Sequence, residues 1–196
     1  MADSKYQQVS ELVDKARHGN RNSTDQLVML FHEDIFRMVY YRTRSRMDAE
    51  DLTQEIFMQM IKSLPGLKKT SRFKSWLFRI ALNRIKDFYR KKSILNFFGT
   101  STEVDESYQE ISQNDDDPID KLMRKEFWEQ FRQFTEGLPR WEREVFILRF
   151  ADHLGIREIA ETLKKNESTV KTHLYRALKK FRQTPGLHDL LKGGVP

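Results

Sequence analysis

Apolar residues recur at helical spacing through the first part of the chain. A short stripe occupies positions 9–16, and a longer one from 27 to 39 repeats every three or four residues, as an amphipathic helix requires. Ser23 and Gln26 form a capping box in front of the longer stripe, which predicts that the helix begins there. These segments are predicted to be the first two helices.

Two further stripes follow before residue 93. A wide apolar face, which includes Ile61, runs from 52 to 64; Asp48 is its predicted N-cap, and Pro65-Gly66 ends it. The stripe beyond the next loop predicts a fourth helix that is expected to end in the basic run 90–92.

The middle of the chain lacks sustained periodicity, and its consecutive Asp residues before Pro118 are typical of a flexible break. Apolar residues at 94, 95, 97 and 98 are the exception, and we expect them to dock onto the first domain or onto a partner. Helical periodicity then resumes. The predicted architecture is all-α, with a helical domain, a flexible acidic linker and a second helical domain at 1–92, 93–118 and 119–196.

Composition narrows the function classes. The 196 residues contain no Cys, which excludes disulfides and thiolate chemistry, and the five His are not at metal-ligand spacing. The sequence has no run of about 18 apolar residues and no signal-peptide core, so membrane insertion and secretion are not expected. We therefore expect a cytoplasmic protein that is not an enzyme and has no catalytic residues, cofactor or metal.

Charge is distributed in blocks. Residues 68–92 contain ten Lys or Arg against one acid, whereas residues 93–120 contain eight acids and no Lys or Arg. The rest of the chain therefore carries +14, although the net charge is only +6. Two basic segments joined by an acidic tether favour a polyanionic partner, of which nucleic acid is the first candidate.

The C-terminal part has the pattern of a helix-turn-helix. Short apolar faces at 156–163 and 170–181 are separated by a turn, and Asn166 is the predicted N-cap of the second helix. Six side chains share the outward face of that helix: Lys171, Thr172, Tyr175, Arg176, Lys179 and Lys180. Because such a helix fits the major groove, its first residues are expected to read base edges and its later cations to contact phosphates.

The basic segment 72–92 carries a second candidate site. Five polar side chains share one face of its predicted helix: Arg79, Asn83, Lys86, Asp87 and Arg90. Phe73 and Trp76 lie where the preceding loop meets this helix. Cations follow phosphates and rings accept unstacked bases, which suits single-stranded DNA, although core packing is the alternative for each ring.

Two blocks of sequence resemble a known family. Residues 48–57 and 73–83 resemble region two of bacterial RNA polymerase sigma factors, and residues 138–149, 158–160 and 168–177 resemble region four. The blocks follow the family's order and leave no room for a folded domain between them. The chain is therefore similar to the small extracytoplasmic-function (ECF) group of sigma factors.

The resemblance implies roles for particular residues. A polymerase-binding face for the β′ clamp is implied at Asp51, Gln54, Glu55 and Met58. Recognition of the melted minus-ten element is implied at Lys68, Lys69, Phe73, Lys74, Trp76, Arg79, Asn83, Lys86 and Arg90. Asn83 and the loop 67–75 would hold a flipped base, with Trp76 supporting the loop. The outward face of the second helix of the helix-turn-helix would read the minus-thirty-five element.

The implied partners are core RNA polymerase, through its β′ clamp and β flap, promoter DNA and an anti-sigma factor. The acidic linker would thread toward the polymerase active site. The sequence departs from the family pattern at Gly155, where Ser or Thr often caps a helix, and at His173, where Arg is common.

Two rival interpretations remain open at this stage. A helix-turn-helix regulator that acts without polymerase would explain the C-terminal half, but it leaves the acidic face of the third helix without a purpose. A nuclease could use Asp48, Glu50, Asp51 and Glu55 with a divalent metal, but such a site needs ligands that converge from several elements.

Overall fold

The computed structural model describes residues 2–97 and 118–184, with side chains described at 7–93 and 126–184. Eight α-helices are present in these residues: α1 (Ala2–Arg17), α2 (Arg21–Thr43), α3 (Arg46–Ser63), α4 (Phe73–Phe97), α5 (Pro118–Glu136), α6 (Arg140–Phe150), α7 (Ile156–Leu163) and α8 (Glu167–Arg182). Two short 3-10 turns, Leu64–Gly66 and Thr70–Arg72, lie between α3 and α4. The described residues contain no strand, which confirms the predicted all-α class.

The described residues fall into two compact units. The first is built on α1 to α4 and also includes residues 161–163, and the second is built on the rest of α5 to α8. Helix α4 continues to Phe97, beyond its predicted end at 90–92, because no Gly or Pro interrupts it before Gly99. The apolar residues 94, 95 and 97, which were predicted to dock onto the first domain or onto a partner, therefore lie in the last turn of α4. Phe98 and most of the predicted acidic linker lie outside the described residues.

Two helices begin earlier than the sequence predicts. The side chain of Asn20 caps α2 by accepting a hydrogen bond from the Ser23 N–H at 2.9 Å, so Ser23 lies inside the first turn. Ser45 caps α3 in the same way, accepting from the Asp48 N–H at 3.2 Å. The predicted caps Ser23 and Asp48 were wrong because an equally good capping residue precedes each by three positions.

The apolar stripes form the core of the first unit. Side chains that are fully buried come from every helix of this unit: Val13, Leu27, Ile35, Met38, Val39, Ala49, Ile56, Met60, Leu77, Phe78 and Ala81. Ile61, predicted to be part of this core, is instead 48% exposed. Its position on α3 lies about 120° around the helix from the centre of the buried arc, which is set by Ile56 and Met60.

Tyr89 attaches the second half of α4 to the end of α2. The Tyr89 hydroxyl donates a hydrogen bond to the backbone carbonyl of Arg42 at 2.5 Å. Partial burial raises the pKa of Tyr89 above its usual value of 10.0, so the phenol is neutral and remains a donor at physiological pH.

Aromatic rings fill the core of the second unit. The Phe134 ring lies 5.1 Å from that of Phe146 and 5.2 Å from that of Phe181, both edge to face. Phe127 and Phe131 of α5 are also buried, so the aromatic stripe of this helix belongs to the core. The Arg143 guanidinium then joins α5 to α6, because it donates to the last carbonyl groups of α5, at Thr135 (2.8 Å) and Glu136.

The helix-turn-helix is locally well capped. The Glu158 carboxylate accepts a hydrogen bond from the Gly155 N–H at 2.7 Å, so the reciprocal half of a capping box forms although Gly155 has no side chain to cap α7. Lys164 follows α7 in the left-handed conformation (φ +53°), and the Lys165 N–H donates to the Ala160 carbonyl at 2.9 Å. Asn166 caps α8, as predicted, by accepting from the Thr169 N–H at 2.7 Å.

Candidate functional site: three polar surfaces on two helical units

The first surface, the α3 face, consists of Asp51, Gln54, Glu55 and Met58. All four side chains are exposed, Met58 to 64%, whereas Leu52 and Ile56 on the opposite side are buried. The helix therefore presents the polar stripe that its periodicity predicts.

Two exposed apolar side chains that the sequence analysis did not assign to a site extend the α3 face. Met47 is 71% exposed and Ile61 is 48% exposed, and both fall on the same arc of α3 as Met58. Two carboxylates are thus flanked by three exposed apolar side chains, a composition that suits a protein partner better than a solvated helix face. Met47 was missed because the helix was predicted to begin after it, and Ile61 because it was assigned to the core.

The second surface combines the α3–α4 loop, residues 64–72, with one side of α4. Leu64 and Leu67 are buried, and they anchor a loop whose Lys68 and Lys69 are exposed. Within the loop, the Leu67 N–H donates to the Leu64 carbonyl at 3.0 Å and the Arg72 N–H to the Lys69 carbonyl at 3.1 Å. The loop is therefore two tight turns that present cations to solvent.

The α4 face lies next to this loop along the chain and is formed by Arg79, Asn83, Lys86 and Arg90. Asn83, Lys86 and Arg90 are exposed and Arg79 is half-buried. Arg90 pairs with Asp87 at 3.1 Å on the helix surface, a contact that water and salt weaken. The amide of Asn83 therefore lies between two cations on the same side of the helix, Arg79 and Lys86.

The two rings predicted near the loop have different environments. Phe73 is 1% exposed and its ring packs edge to face on Phe31 at 5.3 Å, so it is a core residue and is not presented to a base. Trp76 is half-buried, with its ring 5.8 Å from that of Phe73. Lys74 is also half-buried, with its ammonium 6.0 Å from the centre of the Phe78 ring. Direct stacking by Phe73 is therefore corrected to a packing role.

The third surface, the α8 face, consists of Lys171, Thr172, Tyr175, Arg176 and Lys179. All five side chains are exposed, Tyr175 to 69%, whereas Val170, Ala177 and Phe181 on the other side are buried. An exposed basic and hydroxyl-bearing stripe on a capped second helix has the chemistry needed in a major groove.

Lys180, which was predicted to contact DNA, has a different role in this structure. Its ammonium lies 2.8 Å from the Glu142 carboxylate of α6, and the Glu142 side chain is only 9% exposed. Because a nearly buried carboxylate needs a counter-charge, this lysine is part of the packing between α6 and α8. The partner is 38 residues away in sequence, so helical periodicity could not reveal it.

A cation cluster beside the N-terminus of α8 was not predicted. The Lys165 ammonium lies 3.9 Å from the centre of the Trp141 ring, and the Arg140 guanidinium lies 5.2 Å from it. The sequence signal was the Lys164-Lys165 pair directly before the cap Asn166, but the ring that Lys165 contacts belongs to α6.

The acidic residues do not form a ligand set in the part of the chain that is described. Glu50 pairs with Arg46 at 2.9 Å, and no group of three Asp, Glu or His side chains converges within 7–93 or 126–184. A nuclease centre at Asp48, Glu50, Asp51 and Glu55 therefore has no convergent geometry there. None of the described helices is both long and apolar enough to cross a bilayer.

Comparison with known protein families matches both units. Residues 27–94 match the family described as Sigma-70 region 2, and residues 128–181 match Sigma-70, region 4. The first match contains the α3 face, the α3–α4 loop and the α4 face, and the second contains the α8 face.

Individual proteins are similar over most of the chain. The chain is 28% identical over 179 residues to the ECF RNA polymerase sigma factor BldN of Streptomyces coelicolor, covering 91% of this chain and 66% of that protein. It is 27% identical over 185 residues to the ECF RNA polymerase sigma factor SigW of Bacillus subtilis, covering 93% of this chain and 98% of that protein.

Two solved structures share the fold. One is the sigma factor RpoE from Bartonella quintana in complex with the anti-sigma factor NepR, with a TM-score of 0.63, 20% identity and coverage of 87% of this chain and 98% of that one. The other is CnrH in complex with the cytosolic domain of CnrY, with a TM-score of 0.64, 21% identity and coverage of 95% and 99%.

Proposed function

The chain belongs to the sigma-70 family of RNA polymerase sigma factors, of the ECF type, and from this premise we propose that it binds core RNA polymerase and directs promoter-specific transcription initiation. The members of this family are transcription initiation factors and not enzymes. They act with RNA polymerase in the cytoplasm, where we expect this chain to act.

The observation that carries the proposal is the presence of two different kinds of exposed cationic surface in one chain. The α8 face is a rigid helix suited to a duplex groove, whereas the α3–α4 loop and the α4 face combine cations with an exposed amide that suits an unpaired base. A regulator that binds only duplex DNA has no use for the second kind.

We assign the polymerase contact to the α3 face. Its carboxylates and exposed apolar side chains lie on one arc of a helix whose other side is buried, so the face is available without unfolding. The β′ clamp is the proposed partner, and the β flap is the proposed partner of the second unit.

The melted minus-ten element is assigned to the second surface. Asn83 and the α3–α4 loop would hold one flipped base of the non-template strand. Lys68, Lys69, Lys74 and Arg79 would contact the strand backbone, and Lys86 and Arg90 would extend that track. Unstacking a base costs a few kcal/mol, which these contacts must offset.

The minus-thirty-five element is assigned to the α8 face, read as duplex. We propose that Arg176 and Lys171 contact base edges, with Thr172 and Tyr175 beside them, and that Lys179 contacts a phosphate. Lys180 is removed from this set because its ammonium is bound to Glu142.

A protein of the anti-sigma class is the proposed regulatory partner. The similar fold of RpoE from Bartonella quintana was solved with such a factor bound, which supports the assignment by analogy. We expect a cognate factor to compete with core polymerase for this chain.

Reconstituted transcription tests the proposal. Core RNA polymerase with and without the chain is given a library of randomised promoters, and the transcripts are sequenced. We expect transcripts that depend on the chain and share two promoter elements. If the chain shifts duplex DNA by itself, yet neither binds polymerase nor yields transcripts, the polymerase-independent regulator is the correct function.

A further inference from the structure

Helix α1 has no assigned role, although it contacts the candidate site. The match to Sigma-70 region 2 begins at residue 27, ten residues beyond the end of α1, and none of the predicted site residues lies on it. Yet α1 packs against both 3-10 turns of the α3–α4 loop. Its role must therefore be inferred from these contacts.

Two polar contacts join α1 to the loop. The Ser10 and Thr70 hydroxyl oxygens lie 2.5 Å apart, and the Arg17 guanidinium donates a hydrogen bond to the Leu67 carbonyl at 3.3 Å. The Asp14 carboxylate lies 3.3 Å from the Arg17 Nε and orients the guanidinium. These contacts span residues that are 60 and 50 positions apart in sequence.

The residues that make these contacts share one side of α1. Ser10, Val13 and Arg17 follow one another at intervals of three and four residues, so a fully buried Val13 lies between the two polar groups. The helix cannot rotate or slide without exposing this valine. The two polar contacts are therefore held at a fixed distance along the loop.

The loop depends on this support because its own bonds are few. Leu67 and Thr70, the residues that α1 contacts, bracket the exposed Lys68 and Lys69. A short segment held at both sides by a rigid helix loses less conformational freedom when it binds a ligand, which increases both affinity and discrimination.

We propose that α1 is a positioning element for the α3–α4 loop, because Ser10 and Arg17 hold the loop in the conformation that would receive the flipped base. This inference rests on the proposed function of the loop. Ser10 and Arg17 are positioning residues, since they act on the base through Thr70 and Leu67 and do not touch it. Their loss is expected to reduce discrimination between bases more than it reduces affinity for polymerase.

The test uses holoenzyme reconstituted from core polymerase and the full chain. Binding is measured to single-stranded non-template oligonucleotides in which each minus-ten position is varied through all four bases. The readout is the ratio of affinities between the preferred base and the worst base. Ser10→Ala and Arg17→Gln are each expected to lower this ratio roughly three- to tenfold, the effect of one lost hydrogen bond.

Matched controls come from the same helix. Lys15→Gln removes a cation and Glu11→Ala removes a polar side chain at exposed positions of α1 that do not face the loop, so both should keep the wild-type ratio. Ser10→Thr retains the hydroxyl and should restore discrimination. A purely structural role for α1 would lower the melting temperature without changing the ratio.

A double-mutant cycle makes the test specific to one contact. Thr70→Val removes the other hydroxyl, and because the two hydroxyls bond to each other, Ser10→Ala should have little further effect in that background. Amide hydrogen exchange across 64–72 should be faster in either variant. This cycle replaces only half-buried hydroxyls, so it remains decisive if Arg17→Gln reduces stability.

The outcomes separate the two levels of the proposal. If the wild-type holoenzyme discriminates between bases and Asn83→Ala abolishes this, while Ser10→Ala and Arg17→Gln leave the ratio intact, the inference about α1 is wrong and the function of the loop stands. If the wild type shows no base preference, the proposed function of the loop is wrong and the inference fails with it.

Discussion

The α8 face and the α3–α4 loop acquire their geometry in different ways. The α8 face lies on a 16-residue helix that is capped by its own neighbour Asn166 and packed through Val170, Ala177 and Phe181. The loop has only two 3-10 turns and is held by α1. A surface on a helix is therefore determined locally, whereas a surface on a loop depends on residues far away in sequence.

A third surface, the α3 face, should be separable from the α8 face, because we propose that it binds polymerase and not DNA. Asp51→Lys with Glu55→Lys should weaken binding to core polymerase roughly a hundredfold, because like charge at an interface costs several kcal/mol. Binding of duplex DNA by the α8 face, measured without polymerase, should remain unchanged. Fluorescence anisotropy with labelled chain gives both affinities.

Charge reversal at two exposed acids elsewhere in the first unit, Glu11→Lys with Asp25→Lys, is the matched control and should retain polymerase affinity. Full affinity in the Asp51/Glu55 double variant, with circular dichroism unchanged, would remove the polymerase contact from the α3 face.

Strand opening should separate the two DNA surfaces directly. Asn83→Ala should lose about 1–3 kcal/mol of open-complex stability on a duplex promoter while it still occupies the upstream element. Arg176→Ala should lose a similar amount in upstream binding and relax preference at one base pair. Permanganate reactivity of thymines near the start site, on duplex and pre-opened templates, measures the first effect.

A pre-opened template should restore much of the activity of Asn83→Ala and little of that of Arg176→Ala. Asn22→Ala, on the exposed surface of α2, is the matched control for the first variant. Identical behaviour of the Asn83 and Arg176 variants on both templates would show that the two surfaces do not divide duplex and melted DNA between them.

Two adjacent lysines on α8, Lys179 and Lys180, are expected to have different roles, one in DNA binding and the other in stability. Lys180→Ala should destabilise the protein by about 1–3 kcal/mol, because it leaves the nearly buried Glu142 carboxylate without its counter-charge. The loss is expected to be smaller than for a fully buried pair, since the Lys180 side chain is 46% exposed. Lys179→Ala should leave stability unchanged and lower the salt dependence of DNA binding by about one unit of slope.

Thermal unfolding and salt titrations of DNA binding separate these lysine effects. Replacing both partners, Glu142→Leu with Lys180→Met, should recover most of the stability lost in Lys180→Ala. Equal effects of Lys179→Ala and Lys180→Ala on the salt slope would return Lys180 to the DNA-binding face.

The smallest effect is expected in the turn between α7 and α8. Lys164 has a positive φ, which costs a residue with a Cβ roughly 1 kcal/mol relative to Gly. Lys164→Gly should therefore raise the stability of the protein by a few tenths to about 1 kcal/mol, measured by urea unfolding. Lys164→Ala retains the strain and is the control; if it stabilises as much as Gly, the gain comes from removing a charge.

Much of the fold and of the candidate site was predictable because helices repeat every 3.6 residues. The helical period places the residues of the α3 face and of the α8 face on the outward side of their helices, and these residues are exposed. The binding role of the α3 face was implied by the family resemblance. The helical period did not predict which of two capping residues begins a helix, or whether a residue at the edge of an apolar arc is buried. Asn20 and Ser45 were preferred as caps over Ser23 and Asp48, and Ile61 lies at the edge of an apolar arc.

The sequence by itself determined which residue types and which helix faces were available: an acidic and apolar stripe on α3, a basic stripe on α8 and lysines in the loop between α3 and α4. Only the tertiary structure decided which of them are exposed to partners. It buried Phe73 against Phe31, paired Lys180 with Glu142 and attached the loop to Ser10 and Arg17. The reason is physical: a helix face follows from local backbone geometry, whereas burial, ion pairing and loop support depend on contacts between residues that are distant in sequence.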